Sequence, residues 1–182
     1  MRRLDTRLEG PILLAPDVHS DARGFFQESY RADLWAQRGV GDTFVQDNHS
    51  RSARGVLRGM HFSIGKGQAK LVRCARGRIL DVVVDLRRAS PTFGDWEGFE
   101  LDDANAHQLY VPIGFAHGFC ALSEMADVTY KCSTYYDAEI ERGFRYNDED
   151  VAIAWPGDMA LLVSQRDAEA PTLREIAVGL AF

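Results

Sequence analysis

Ile79-Leu80-Asp81-Val82-Val83-Val84-Asp85-Leu86 alternates as a β-strand does. Side chains two apart share a face, so Leu80, Val82, Val84 and Leu86 form one row, and Asp81 and Asp85 belong to the other. If the apolar row packs between two sheets, the acidic row faces solvent or a polar cavity, and the pattern alone leaves both open. Comparable short runs flank this one: Phe44-Val45, Val56-Leu57, Leu71 to Cys74, Gln108 to Val111, Phe115 to Leu122 and Val128 to Cys132. Turn clusters such as Gly65-Lys66-Gly67, Ala75-Arg76-Gly77, Asp102-Asp103 and Pro112-Ile113-Gly114 separate them. Many short strands between closely spaced turns predict an all-β sandwich or barrel. One short helix is expected at Ala32 to Arg38, stopped by Gly39.

No repeat, low-complexity tract or linker interrupts the 182 residues, which read as a single domain spanning 1–182. The formal charge of -6 argues against general nucleic-acid binding, which needs a surplus of Lys and Arg, although a local basic pocket can still hold a small anion. No segment approaches the roughly 20 apolar residues that span a bilayer, and the opening MRRLDTRLEGPILLAP lacks the apolar core of a secretory signal. Cys74, Cys120 and Cys132 are scattered and odd in number, which predicts buried thiols in a reducing compartment. A cytoplasmic protein is expected.

Chemistry enters at Gly55-Val56-Leu57-Arg58-Gly59-Met60-His61-Phe62, where two ionisable residues interrupt an apolar run. Three steps along a regular strand reverse the side, so Arg58 and His61 would face opposite ways. Gly59 between them is a natural bulge position, and a bulge would turn both toward one cavity. A hydrogen-bonded structural histidine is the plainer reading of His61 by itself.

Six blocks in order then carry a resemblance: Arg23-Gly24-Phe25-Phe26, Phe44 to Ser50, Gly55 to Phe62, Lys70 to Cys74, Ser90 to Gly94 and Gly114 to Phe119. Together they closely resemble the dTDP-4-dehydrorhamnose 3,5-epimerase family, from about Leu13 to about Pro171. The resemblance implies a cupin-type jelly roll with a few short helices, usually a homodimer. It also implies a metal-free, cofactor-independent isomerase acting on a dTDP-4-keto-6-deoxy sugar. Hydrogens on C3 and C5 of such a sugar are acidified by the C4 carbonyl, and inverting either carbon needs a base, an enolate stabiliser and an acid across the ring. An imidazole, titrating near pH 6.5, suits the base.

By the same resemblance His61 is that base, Asp167 its carboxylate partner, Lys70 the enolate stabiliser and Tyr130 the proton donor at C5. Arg23, Glu28, Gln46, Asp47, Asn48, Arg58, His117, Tyr136, Glu141 and Arg166 match substrate-binding positions, the arginines suiting a diphosphate. Read alone, these residues are blander. Asp167 is a surface-turn aspartate, Lys70 a solvated edge charge and Tyr130 a core tyrosine. Gln46-Asp47-Asn48-His49-Ser50 is then a polar turn, and Glu28 and Glu141 are rim charges. A metal reading founders on Ser63, which stands where a second histidine would pair with His61, since an imidazole-held ion wants about three protein ligands.

Two departures bear on the pocket rather than on the base. Ser63 to Gln68 is one residue shorter than the family's usual loop and lacks its proline pair, and Met60 replaces the more frequent leucine. Three rivals remain: an epimerase of C3 or C5 alone, a cupin that binds a sugar nucleotide without turnover, and a metal-dependent cupin enzyme.

Overall fold

The computed structural model describes residues 1–180 and 182. Its first sheet has six strands in the spatial order β1 (Arg2–Leu4), β2 (Ile12–Ala15), β10 (Gln108–Val111), β7 (Lys70–Arg76), β12 (Met125–Cys132) and β5 (Gln46–Ala53). The second runs β13 (Glu141–Gly143), β6 (Val56–Ser63), β11 (Phe115–Ala121), β8 (Arg78–Asp85) and β9 (Trp96–Asp102), and β14 (Leu162–Val163) lies parallel beside β6. A separate hairpin joins β3 (His19–Asp21) to β4 (Gly24–Phe26). The two facing sheets make the all-β jelly-roll sandwich expected of the sequence.

Three apolar clusters hold the layers. Between the sheets Val72, Cys74, Leu109 and Val128 meet Ile79, Val83, Phe99, Leu101, Phe115 and Phe119. Outside the second sheet Met60, Val82, Val84 and Leu86 pack on Phe144, Val151, Leu173 and Leu180 from the C-terminal segment. Outside the first sheet Ile12, Leu14 and Leu71 pack on Trp35 of the helix α1 (Ala32–Ala36). Burying each such side chain contributes about 1.5–3 kcal/mol before entropy is counted.

The apolar row of β8 therefore lies outside the sandwich, under the C-terminal segment, and the acidic row points inward. Both aspartates are fully buried. Asp85 closes the β8–β9 corner, accepting from Arg87, Ser90 and Thr92. Gln46 to Ser50 is strand rather than turn, whereas Phe44-Val45, expected as strand, lies just before it and outside any strand. The helix ends two residues early, at Ala36, and Gly39 does stop the chain with φ +98°. The helices α2 (Gln165–Ala168) and α3 (Leu173–Ile176) were not anticipated. All three cysteines are free and buried. Among the described residues no helix is long and apolar enough to cross a membrane.

Candidate active site

A cavity of about 550 Å³ opens between the sheets, within the usual range for a small-molecule site. Arg58, His61, His117, Glu141, Arg166 and Asp167 line one wall, and Lys70 and Tyr130 line the other.

The bulge that Gly59 predicts is present. His117 pairs with His61 and Phe119 with Arg58, so Gly59 and Met60 together face Gly118 alone. The extra residue restores Arg58 and His61 to one side, and both reach the cavity. Gly59 has φ +135°, and a Cβ there would lie 2.6 Å from Gly118 Cα. Only glycine fits.

His61 Nε2 lies 2.7 Å from Asp167 Oδ1. A carboxylate only accepts, so Nε2 carries the hydrogen and Nδ1 keeps its lone pair. Asp167 sits in the first turn of α2, where its N–H donates to the cap residue Ser164, and its Oδ2 accepts from Gly59 N–H at 3.4 Å. Burial works to raise this carboxyl, but the hydrogen bond and charge of His61, with Gly59 and Ser164, hold it below the ordinary value.

Lys70 and Tyr130 face this dyad from the first sheet. Lys70 Nζ lies 5.9 Å from the Tyr130 ring centroid. Burial pulls the Lys70 ammonium below the ordinary lysine value, against the opposing influence of Cys132, Glu141 and Asp81. Burial raises the Tyr130 phenol, helped by Cys132 and Glu141, so it keeps its proton. An imidazole held by a carboxylate thus looks across the cavity at a phenol and a buried lysine nitrogen, an arrangement fit to move a proton from one face of a carbon acid to the other.

The remaining expected residues divide. Arg58 is propped by Ser52 Oγ at 3.1 Å. Glu141 accepts from Arg166 at 2.9 Å and from the Tyr136 hydroxyl at 3.2 Å, tying three of them at the rim. His117 is buried, its Nε2 2.9 and 3.0 Å from the Asp81 carboxylate oxygens. Gln46 and Asn48 are joined at 3.0 Å, and Gln46 also accepts from Tyr136 N–H.

Six do not line this cavity: Tyr136 is linked to it through Glu141, Gln46 through Tyr136 and Asn48 through Gln46, while Asp47, Arg23 and Glu28 lie away from it. Strand alternation turns Asp47 to the outer face of β5, where it pairs with Lys131 at 2.8 Å. Arg23 is exposed on the β3–β4 hairpin and pairs with Asp21. Glu28 lines a separate hollow with Met1, His19 and Trp35. Ser52, Asp81 and Ser164 escaped the sequence reading as site residues. The inward row of β8 was the available signal for Asp81, and the capping pattern of Ser164 three residues before Asp167 was the signal for α2.

The chain is similar to known proteins over nearly its whole length. Residues 5–175 match the family model described as dTDP-4-dehydrorhamnose 3,5-epimerase. A protein of that name from Methanothermobacter thermautotrophicus is 45% identical, covering 98% of each chain. A dTDP-4-dehydrorhamnose 3-epimerase from Streptomyces niveus is 44% identical over 96% of this chain and 85% of its own. Among solved structures, a dTDP-6-deoxy-D-glucose-3,5-epimerase from Legionella pneumophila in complex with dTDP-4-keto-L-rhamnose superposes with a TM-score of 0.93. It is 44% identical, over 96% of this chain and 94% of that one.

Proposed function

The chain belongs to the dTDP-4-dehydrorhamnose 3,5-epimerase family, and on that premise we propose that it converts dTDP-4-dehydro-6-deoxy-D-glucose to dTDP-4-dehydro-L-rhamnose. The observation that carries this reading is the His61–Asp167 pair facing Lys70 and Tyr130 across one cavity. His61 Nδ1 takes the hydrogen from C3 or C5, and the electron pair moves into an enolate at C4. Asp167 stabilises the imidazolium so formed. The Lys70 ammonium stabilises the enolate oxygen, and Tyr130 returns a proton to C5 from the opposite face. Arg58, supported by Ser52, anchors the diphosphate, while Glu141, Arg166, Tyr136, Gln46, Asn48 and His117 shape the rest of the pocket.

Arg23 and Glu28 serve a second copy in this reading. The hairpin bearing Arg23 exposes Phe25 and Phe26 by 62% and 67%, an apolar surface suited to a homodimer. Sedimentation equilibrium reads that mass directly. The enzyme acts in the cytoplasm, as one domain, without cofactor.

Turnover in D2O tests the reaction: deuterium at both C3 and C5 is expected. The Streptomyces niveus relative favours one alternative, epimerisation at a single carbon, and label at C3 alone or C5 alone would establish it. No label at either carbon would leave only a binding role.

A further inference from the structure

Inversion at C3 needs an acid of its own, on the face opposite His61, and the roles above leave that acid unassigned. Among the described residues the first sheet contributes three side chains to the cavity wall: Ser50, Lys70 and Tyr130. His117 and Arg58 share the wall of His61, on β11 and β6, so a proton from either returns to the face it left. Of the three on the far wall, Ser50 offers an alcohol, too weak an acid to protonate an enolate carbon near neutral pH. Tyr130 is given to C5 in the reading above. We propose that Lys70 is the proton donor at C3.

The strand register supports two acids abreast. β7 and β12 are paired so that Cys132 faces Lys70 and Tyr130 faces Val72, which sets Lys70 and Tyr130 on the same inward row two residues apart. The Lys70 nitrogen stands 5.9 Å from the centroid of the Tyr130 ring, on the same wall. One base on one wall thus faces two acids on the other.

The step balances. His61 takes the C3 proton, and the C–H electron pair forms the C3–C4 enolate. An Nζ–H bond of Lys70 then breaks, C3–H forms on the opposite face from the enolate pair, and the C4 carbonyl is restored. Lys70 is left as the amine and His61 as the imidazolium, and solvent carries one proton from the second to the first. The nearby acids do not engage Nζ directly, since Asp81 is bonded to His117 and Glu141 to Arg166. Burial lowers the Lys70 pKa and so makes its ammonium a stronger acid.

This inference rests on the epimerase reading, and the test separates the two. Deuterium exchange and inversion are measured at each carbon for the wild type, Lys70→Arg and Lys70→Gln. Wild-type exchange at both carbons upholds the reading, and its absence sinks the reading rather than the role of Lys70. Lys70→Arg keeps a cation at the enolate but offers a guanidinium too weakly acidic to give up its proton. His61 in that variant still strips the C3 hydrogen and returns deuterium to the same face. C3 inversion should fall about 100-fold further than C3 exchange, a typical loss for a missing general acid. The exchange-to-inversion ratio at C5 should stay at its wild-type value. Lys70→Gln should show the same split on a lower overall rate. Exchange and inversion at C3 falling by one common factor in both variants would overturn the proposal, leaving Lys70 with the enolate oxygen alone.

Discussion

His61 and Asp167 are 106 residues apart in the chain and 2.7 Å apart in the fold. The contact joins a bulged strand of the second sheet to a four-residue helix capped by Ser164. The same carboxylate also receives Gly59 N–H, so the residue that makes the bulge and the residue that holds the imidazole are bonded to each other. Bulge, base and carboxylate are one mechanical unit.

Asp167→Asn should preserve the fold and disable the base. An amide can hold the ring in the wrong tautomer and cannot stabilise an imidazolium. We expect kcat to fall by about 10³-fold or more, with dTDP binding little changed. Steady-state kinetics beside calorimetric titration with dTDP checks both halves.

Gly59→Ala should cost stability and activity together. Its methyl meets Gly118 Cα at 2.6 Å on a backbone with φ +135°, so either the bulge flattens or β6 and β11 separate. A lowered thermal midpoint with lost turnover is expected. Unchanged turnover would mean that the bulge does not aim His61.

In the proposed reaction Tyr130→Phe removes the C5 acid without touching the base. Inversion at C5 should drop by about 100-fold or more while solvent exchange at C3 continues, which NMR in D2O resolves carbon by carbon.

Acid stability should register Asp85. Burial opposes its ionisation, but Arg87, Ser90 and Thr92 outweigh that and hold the carboxyl at about 2, against 3.8 for an ordinary aspartate. A depressed carboxyl stabilises the fold fully above the unfolded value, and the contribution fades as pH falls from about 4 through about 2. Its size is on the order of 2 kcal/mol. Asp85→Asn should lower the midpoint of urea unfolding at pH 7 and flatten its decline between pH 4 and pH 2.

Strand alternation made the sandwich legible, because Ile79 to Leu86 and Gln108 to Val111 sit where their patterns put them. The Arg58–Gly59–His61 bulge was legible for a local reason: two charges in an apolar run cannot share a face without it. Gln46 to Ser50, read alone, imitates a turn because Asp, Asn and Ser favour turns, while in the fold these residues begin an edge strand that sends Ser50 into the cavity. Asp167 carried no local sign of burial, and family resemblance rather than periodicity pointed to it. The inward face of Asp81 left solvent and cavity equally open until β11 set His117 beside it.

Every step of the proposed mechanism depends on the His61 ring, and His61→Asn tests that most directly. The variant should bind dTDP and unfold at a temperature near that of the wild type, yet incorporate no deuterium from D2O at C3 or C5 of the 4-keto sugar. Deuterium appearing at either carbon at a rate near the wild type's would contradict the account, because another group would then be stripping the hydrogen.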